Sequence, residues 1–265
     1  MRALKIGIVL ESTGLPLRQA LIAAADAGAQ GVEFDAVGDV SPDALSATGR
    51  RELRTRLRSL ELDVAALNVP VRRGLDVAAD LQPRIERIRK AMQLAYDLGA
   101  RQVVVPCPKI PDDESQPRAL LMREALEDLG RYGDRIGCVV ALEIGYDPAT
   151  RVKAYLERFD TGSLKTTFDP ANFLLHGHDP LAHLAPLAGW IAHVHARDAR
   201  AAGVSRGVQE VALGAGDVDW MAFTATLQVI TFDGFLTVKR EQGDNKLADV
   251  TNGVAFLRRF AAPVM

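Results

Sequence analysis

Three side chains that could hold a metal ion end three successive apolar segments of the chain. They are Glu143, Asp169 and His195. A charged side chain is costly near a core unless it is paired or bound to a metal, so successive segments that supply Glu, Asp and His indicate a shared site. Carboxylate oxygens and an imidazole nitrogen together suit Mn²⁺, Mg²⁺, Co²⁺ or Zn²⁺. Such a metal could polarise the carbonyl and hydroxyl of a sugar and stabilise an enediolate.

Simpler interpretations of the same residues stay open. Glu143 could be only an ion-pair partner, and Asp169, which precedes Pro170, could be only a helix cap. His193 lies two residues before His195, so the two share one face of a strand, and one of them could be a packed, hydrogen-bonded histidine.

The elements that must position these residues alternate regularly along the chain. Short apolar segments rich in Val and Ile are typical of parallel strands buried on both faces. Amphipathic segments of helical length lie between them, and Ser41 followed by Pro42 is typical of a helix start. The eight predicted strands are Leu4–Leu10, Gly31–Phe34, Asp63–Leu67, Gln102–Val105, Cys138–Ile144, Lys165–Asp169, Trp190–His195 and Phe235–Lys239.

Eight alternations of strand and helix predict an α/β fold, a single (β/α)8 TIM barrel spanning residues 1–265 as one domain. An open doubly wound sheet usually carries a glycine-rich phosphate loop after its first strand, and no GxGxxG pattern follows the first segment here. In such barrels the active site lies at the carboxyl ends of the strands, where the three candidate ligands are found.

Other polar residues near the predicted strand ends are candidates for substrate binding. Basic side chains there could bind a phosphate or carboxylate, although pairing with neighbouring acids is equally compatible with the sequence. Trp220 could stack on a sugar ring or belong to the core. The predicted substrate-binding set is Lys109, Asn172, His193, Arg197, Asp198 and Trp220, with Arg72, Arg73 and Arg240 as further basic candidates.

Composition excludes several classes of function. The net charge of −2, with dispersed basic residues, argues against nucleic-acid binding. No apolar run approaches the roughly 18 residues of a membrane span, and the first segment resembles a strand rather than a signal peptide. Two distant cysteines, Cys107 and Cys138, form no CxxC metal motif and fit a reducing cytoplasm. A homo-oligomer is left open.

Several segments in order resemble the xylose isomerase-like barrel superfamily of sugar phosphate isomerases and epimerases. They are GVEFDA, ALNVPVRRGLD, VVALEIG, FDPANFLLHGHDP, IAHVHARDA, LGAGDVDW and GFLTVKREQGD. The resemblance implies one metal held by Glu, Asp, His and Glu from the last four strands, of which Glu143, Asp169 and His195 match the first three. It implies that His193 supports the metal site or faces the substrate. It also implies that Glu residues of the fifth and eighth strands form an acid–base pair.

The eighth strand departs from that pattern. A motif similar to TIERE would place a glutamate where this chain has Lys239, and a protonated lysine cannot bind a metal. Glu241 lies two residues on and could reach inward instead. Alternatively, the ammonium of Lys239 could replace the charge of the metal. A lysine beside a bound cation would have a lowered pKa and could act as a base or form a Schiff base.

The resemblance therefore implies a metal-dependent isomerase or epimerase of a keto-sugar, sugar phosphate or polyol, with Glu143, Lys239 and Glu241 as catalytic candidates. Elimination from a keto-inositol or a 3-keto-glycoside would use the same enediolate and stays open. A non-catalytic sugar-binding barrel, with a site degenerate at Lys239, is a second class. A DNA-repair nuclease of the same superfamily would need three zinc ions and more ligands than five histidines allow.

Overall fold

The computed structural model describes residues 3–202 and 207–262, and its centre is a closed barrel of eight parallel strands. The strands are β1 (Lys5–Val9), β2 (Gly31–Asp35), β3 (Asp63–Asn68), β4 (Gln102–Pro106), β5 (Val139–Ile144), β6 (Leu164–Phe168), β7 (Ile191–Ala196), β8 (Asp198–Ala201), β9 (Val208–Val211) and β10 (Phe235–Val238). The barrel order is β1, β10, β7, β6, β5, β4, β3, β2, which closes between β2 and β1. The predicted (β/α)8 TIM barrel is confirmed.

Helices cover the outside of the barrel between the strands. The longest, α3 and α4, bury one apolar face each and expose charged residues on the other, as an amphipathic surface helix must. The helices are α1 (Leu17–Asp26), α2 (Ala47–Ser59), α3 (Leu81–Leu98), α4 (Pro117–Ile136), α5 (Ala149–Leu156), α6 (Pro170–Leu175), α7 (Pro180–Leu184), α8 (Trp220–Val229) and α9 (Lys246–Ala261). Within the described residues, no helix is long and apolar enough to cross a membrane.

The second helix starts later than the sequence predicted. Ser41 and Pro42 were expected to begin it, but α2 begins at Ala47, and the Ser46 side chain accepts a hydrogen bond from the backbone N–H of Gly49. Ser41 accepts instead from the N–H of Ala44 in a separate turn. Both serines are therefore local caps, and only Ser46 caps the helix.

Strand register brings the predicted site residues to one end of the barrel. His195 of β7 pairs with Thr237 of β10, and Glu143 of β5 pairs with Thr167 of β6. The carboxyl ends of parallel strands meet at the same rim, so residues that end β5, β6, β7 and β10 converge there. The antiparallel hairpin β8–β9, which follows β7, adds a flap at this rim that the sequence analysis did not predict.

Candidate active site

Two histidines of β7 reach across the barrel interior to one buried glutamate of β2. His193 Nε2 lies 2.6 Å from Glu33 Oε2, and His195 Nε2 lies 2.9 Å from Glu33 Oε1. The side-chain amide nitrogen of Gln102 lies 3.1 Å from His193 Nδ1. Because an amide nitrogen can only donate, His193 Nδ1 accepts this hydrogen bond and His193 Nε2–H donates to Glu33. Burial lowers the pKa of His193, so this ring stays neutral.

His195 is held between two carboxylates. Its Nδ1 lies 2.9 Å from Glu143 Oε1, while its Nε2 contacts Glu33. Both partners are acceptors, so both ring nitrogens donate and the imidazole is charged. Burial alone would lower the pKa of His195, but Glu33 and Glu143 outweigh it and raise that pKa to about 9.

The two carboxylate oxygens of Asp169 have different surroundings: one caps a helix and the other faces the candidate site. Oδ1 accepts from the backbone N–H of Asn172 at 3.1 Å and so caps α6. Oδ2 is buried and lies 4.0 Å from His195 Nδ1, without a hydrogen-bond partner among the residues that the structure describes. The cap and a ligand role are therefore compatible, because each uses a different oxygen.

Lys239 lies between two carboxylates at the rim. Its Nζ is 2.9 Å from Glu143 Oε1 and 3.0 Å from Glu241 Oε1, and its side chain is 14% exposed. Burial would lower the pKa of Lys239, but Glu143 and then Asp169 raise it above its ordinary value. Burial would likewise raise the pKa of Glu143, but Lys239 and His195 hold it well below its usual range. The lysine is thus an ammonium, which argues against its serving as a base or a Schiff-base amine in the resting site.

Arg197 is a second buried cation beside the same group. Its Nε lies 3.0 Å from Asp169 Oδ2, although not aligned for a hydrogen bond, and its Nη1 lies 2.8 Å from Glu241 Oε2. Its Nη2 donates to Asn172 Oδ1. Glu210 of the β8–β9 hairpin lies 3.8 Å from Nη1. The sequence left two interpretations of Arg197 open, anion binding and pairing with neighbouring acids. In the structure Arg197 pairs with neighbouring acids.

Three of the four positions would fit a divalent cation once His195 gives up its Nδ1 proton, and the fourth would not. Glu143, Asp169 and His195 offer donor atoms within 4.8 Å of one another, and Glu33 orients His195 as carboxylates orient metal-bound histidines. The unpartnered Oδ2 of Asp169 is also what a metal would satisfy. The fourth position, however, holds the ammonium of Lys239, and Glu241 contacts Lys239 and Arg197 rather than this group. The residues present therefore do not complete a metal site.

Two predicted substrate-binding residues, Asp198 and Trp220, are buried in structural positions. The Asp198 carboxylate accepts hydrogen bonds from five donors, which are the indole of Trp220 and the backbone N–H groups of Ala199, Gly214, Gly216 and Val218. Trp220 is buried in the core cluster. This placement favours a structural role for both, as does the fully bonded and buried ring of His193.

The other predicted residues lie nearer solvent. Asn172 is half-buried and contacts Arg197, while Lys109 is exposed after β4. Arg240 pairs with Glu210 and Asp249. Arg72 and Arg73 line a separate cavity of about 620 Å³ with Arg84 and Arg87. The structure thus gathers Glu143, Asp169, His195, Arg197, Lys239 and Glu241, and leaves Lys109, Arg72 and Arg73 outside that group.

Glu33 and Glu210 belong to the site although the sequence analysis gave neither a role. The signal for Glu33 was available, because a glutamate inside the apolar segment GVEFD must be paired to be buried. Glu210 lies in a segment without strand-like alternation, and only the hairpin brings it to Arg197 and Arg240. Its position depends on the pairing of β8 with β9, which the local sequence pattern does not indicate.

Comparison with known proteins gives a family match and many similar structures. A model of the family described as xylose isomerase-like TIM barrel matches residues 21–260. No curated protein matches the chain. A xylose isomerase domain protein from Planctomyces limnophilus is 23% identical, with a TM-score of 0.82 and 91% of each chain covered.

Two similar structures carry a named activity. The probable 3-DHS dehydratase AsbF from Bacillus anthracis is 19% identical, with a TM-score of 0.78 over 96% of this chain and 99% of that chain. The 3-keto-D-glucoside 4-epimerase YcjR from E. coli is 16% identical, with a TM-score of 0.77 over 97% of this chain and 99% of that chain. At these identities the likeness shows the fold alone.

Proposed function

Because the chain belongs to the xylose isomerase-like TIM barrel family, we propose that it is a sugar isomerase or epimerase that moves a proton next to a carbonyl through an enediolate. The observation that carries the proposal is one ammonium between two carboxylates. Lys239 contacts Glu143 on one side and Glu241 on the other, at the carboxyl ends of the barrel strands. The named activity of the epimerase from E. coli supports this class of reaction.

The first step removes a proton from the carbon beside the carbonyl. Glu143 is ionised and takes that proton, while the C–H electrons move into the carbon–carbon bond and the carbonyl electrons move to oxygen. Lys239 donates a hydrogen bond to this oxygen, and in doing so it releases Glu143 Oε1, which becomes more basic. Substrate binding thus activates a carboxylate that the resting ion pair keeps weak.

The second step decides the product. Glu241 is about half exposed and can exchange protons with solvent, so a proton delivered through it from the opposite face inverts the carbon. A proton returned by Glu143 to the former carbonyl carbon, with the proton of the neighbouring hydroxyl passing to the enediolate oxygen, isomerises the sugar instead. The sequence predicts a divalent metal on Glu143, Asp169 and His195 for this stabilisation of oxygen charge, and in the first step the ammonium of Lys239 provides it instead.

Solvent deuterium exchange tests the proposal whichever product the reaction forms. Keto-sugars, sugar phosphates, keto-inositols and 3-keto-glycosides are incubated with the protein in D₂O and followed by NMR and mass spectrometry. We expect at least one to gain deuterium beside its carbonyl, and Glu143→Gln to lower that rate by a hundredfold or more, about the usual contribution of a general base. Glu124→Gln on the exposed face of α4 is the matched control and should exchange at the wild-type rate. Equal rates for the two variants would refute the role of Glu143, and no exchange with any substrate would favour a non-catalytic sugar-binding barrel.

Elimination is the second candidate, because it starts with the same proton removal. The probable dehydratase among the similar structures supports it. The same incubations separate the two, since an epimer or isomer keeps the substrate mass apart from deuterium, whereas elimination removes water from a keto-inositol or the aglycone from a 3-keto-glycoside.

A further inference from the structure

Lys239 lies where the site would need its fourth metal ligand. Its backbone N–H donates to Ala196 O, which continues the β10–β7 pairing one step beyond Val238. Thr237 of the same strand faces the interior and contacts Glu33, and side chains two apart share a face. The side chain of Lys239 therefore points into the group formed by Glu143, Asp169 and His195.

The ammonium and a metal ion would compete for one oxygen. Glu143 Oε1 already accepts from His195 Nδ1 at 2.9 Å and from Lys239 Nζ at 2.9 Å. A cation bound to that oxygen would be a close neighbour of the ammonium. An ammonium and a dication about 4 Å apart, at an effective dielectric of about 20, would repel each other enough to weaken binding by more than a thousandfold.

A second cation, Arg197, lies beside the carboxylate of Asp169. Arg197 Nε lies 3.0 Å from Asp169 Oδ2, and the guanidinium is buried and cannot lose its proton in a protein. Each of the two carboxylates that would bind a metal thus has a fixed positive group beside it. The charge that a dication would bring is already supplied by side chains.

We propose that the Lys239 ammonium replaces the divalent metal, with Arg197 beside it, so that the protein binds no metal tightly at this site. The ammonium is then the group that donates to the carbonyl oxygen of the substrate, and this second statement rests on the proposed function. The first statement, that no metal binds tightly, does not rest on the proposed function. It follows from the positions of Lys239, Glu143, Asp169 and Arg197.

Metal titration of the substrate-free protein tests the inference. Chelator-treated protein is titrated with Mn²⁺ and Co²⁺ by calorimetry, and Co²⁺ binding is also followed by its visible absorption. We expect wild-type protein to bind with a Kd weaker than about 1 mM. Lys239→Glu replaces the repelling ammonium with a fourth carboxylate and should bind at least a thousandfold more tightly. Lys90→Glu, the same change at an exposed site on α3, should bind as the wild type does.

A Kd below about 10 μM for the wild type would overturn the inference, as would equal affinities of wild type and Lys239→Glu. Should Lys239→Glu fail to fold, Lys239→Met decides the matter. It removes the ammonium without adding a ligand, and its Mn²⁺ affinity should rise by tenfold or more, whereas an unchanged affinity would contradict the proposal.

Failure of the two proposals can be told apart. Weak metal binding with no deuterium exchange would remove the proposed function and leave the metal inference standing. Deuterium exchange that a chelator abolishes and Mn²⁺ restores would support the enzyme and overturn the metal inference. Exchange that a chelator does not change supports both.

Discussion

Glu33 is the residue on which both histidines of β7 depend. It is almost fully buried, and its carboxylate contacts His193, His195 and Thr237. Burial would raise the pKa of Glu33, but the charge of His195 and the hydrogen bonds from both histidines hold it far below its usual range. A buried carboxylate of this kind stabilises the fold only while its partners remain in place.

Replacing Glu33 with glutamine should therefore destabilise the protein strongly. The amide keeps the shape but loses the charge opposite His195, and breaking a buried ion pair typically costs about 3 kcal/mol or more. For a chain of this size that corresponds to a fall in Tm of roughly 10 °C. Calorimetric or circular-dichroism melting checks it, with Glu124→Gln as the exposed control. A Tm within about 2 °C of the wild type would show that the pairing contributes little.

Gly145 holds the end of β5 against the start of α6. Its φ of +153° is a conformation that favours glycine, and a Cβ there would lie 2.4 Å from the Cβ of Asn172. Gly145→Ala should displace Asn172 from Arg197 and destabilise the fold by about 2 kcal/mol. Gly162→Ala is the control, because its Cβ would meet only Asp134 Oδ1, at 3.8 Å. Similar melting temperatures for the two variants would contradict this.

At the scale of elements, Asp198 ties the hairpin β8–β9 to the loop before α8. Its two oxygens accept from donors on both segments, and a Cβ on Gly216 would lie 1.9 Å from Oδ1. The close approach needs glycine, and the several N–H groups need a carboxylate. One buried side chain therefore holds the hairpin that carries Glu210 against the loop before α8.

Asp198→Asn should loosen this loop more than it unfolds the barrel. The amide has a single acceptor oxygen, so either the N–H groups on Oδ1 (Ala199 and Val218) or those on Oδ2 (Gly214 and Gly216) lose their acceptor and their protection. Hydrogen–deuterium exchange of peptides covering residues 212–218 should be at least tenfold faster. Asp219→Asn is the control, since Asp219 caps α8 through Ala222. Unchanged exchange in both variants would mean that Asp198 does not anchor the loop.

Elements were predictable where local pattern and burial agree. The eight barrel strands follow from short apolar segments, and closure follows from their number, so Glu143, Asp169 and His195 could be placed at one rim from sequence. The hairpin β8–β9 could not, because VQEV lacks an apolar face and pairs only with β8, in a two-stranded sheet outside the barrel. The start of α2 was misplaced because Ser41 and Ser46 both have capping chemistry, and only the fold selects between them.

On the scale of the whole molecule, the two cysteines lie at opposite ends of the barrel. Cys107 follows β4 at the rim that carries the site, and Cys138 precedes β5 at the other end. The first is 7% exposed and the second 0%. Burial raises the pKa of each thiol to about 12, with Asp147 and Asp76 adding to the effect at Cys107. Neither forms the reactive thiolate near neutral pH in the closed fold.

Thiol labelling should therefore report the opening of each end separately. At pH 8 the native protein should react with a disulfide reagent only as the barrel opens, and two thiols should react at once in denaturant. Because Cys107 borders the rim, we expect its rate in Cys138→Ser to exceed that of Cys138 in Cys107→Ser by about tenfold or more, since site-bearing ends open more readily than cores. Equal rates would show that the barrel opens as one unit. Immediate reaction of either thiol in the native protein would contradict the burial on which this expectation depends.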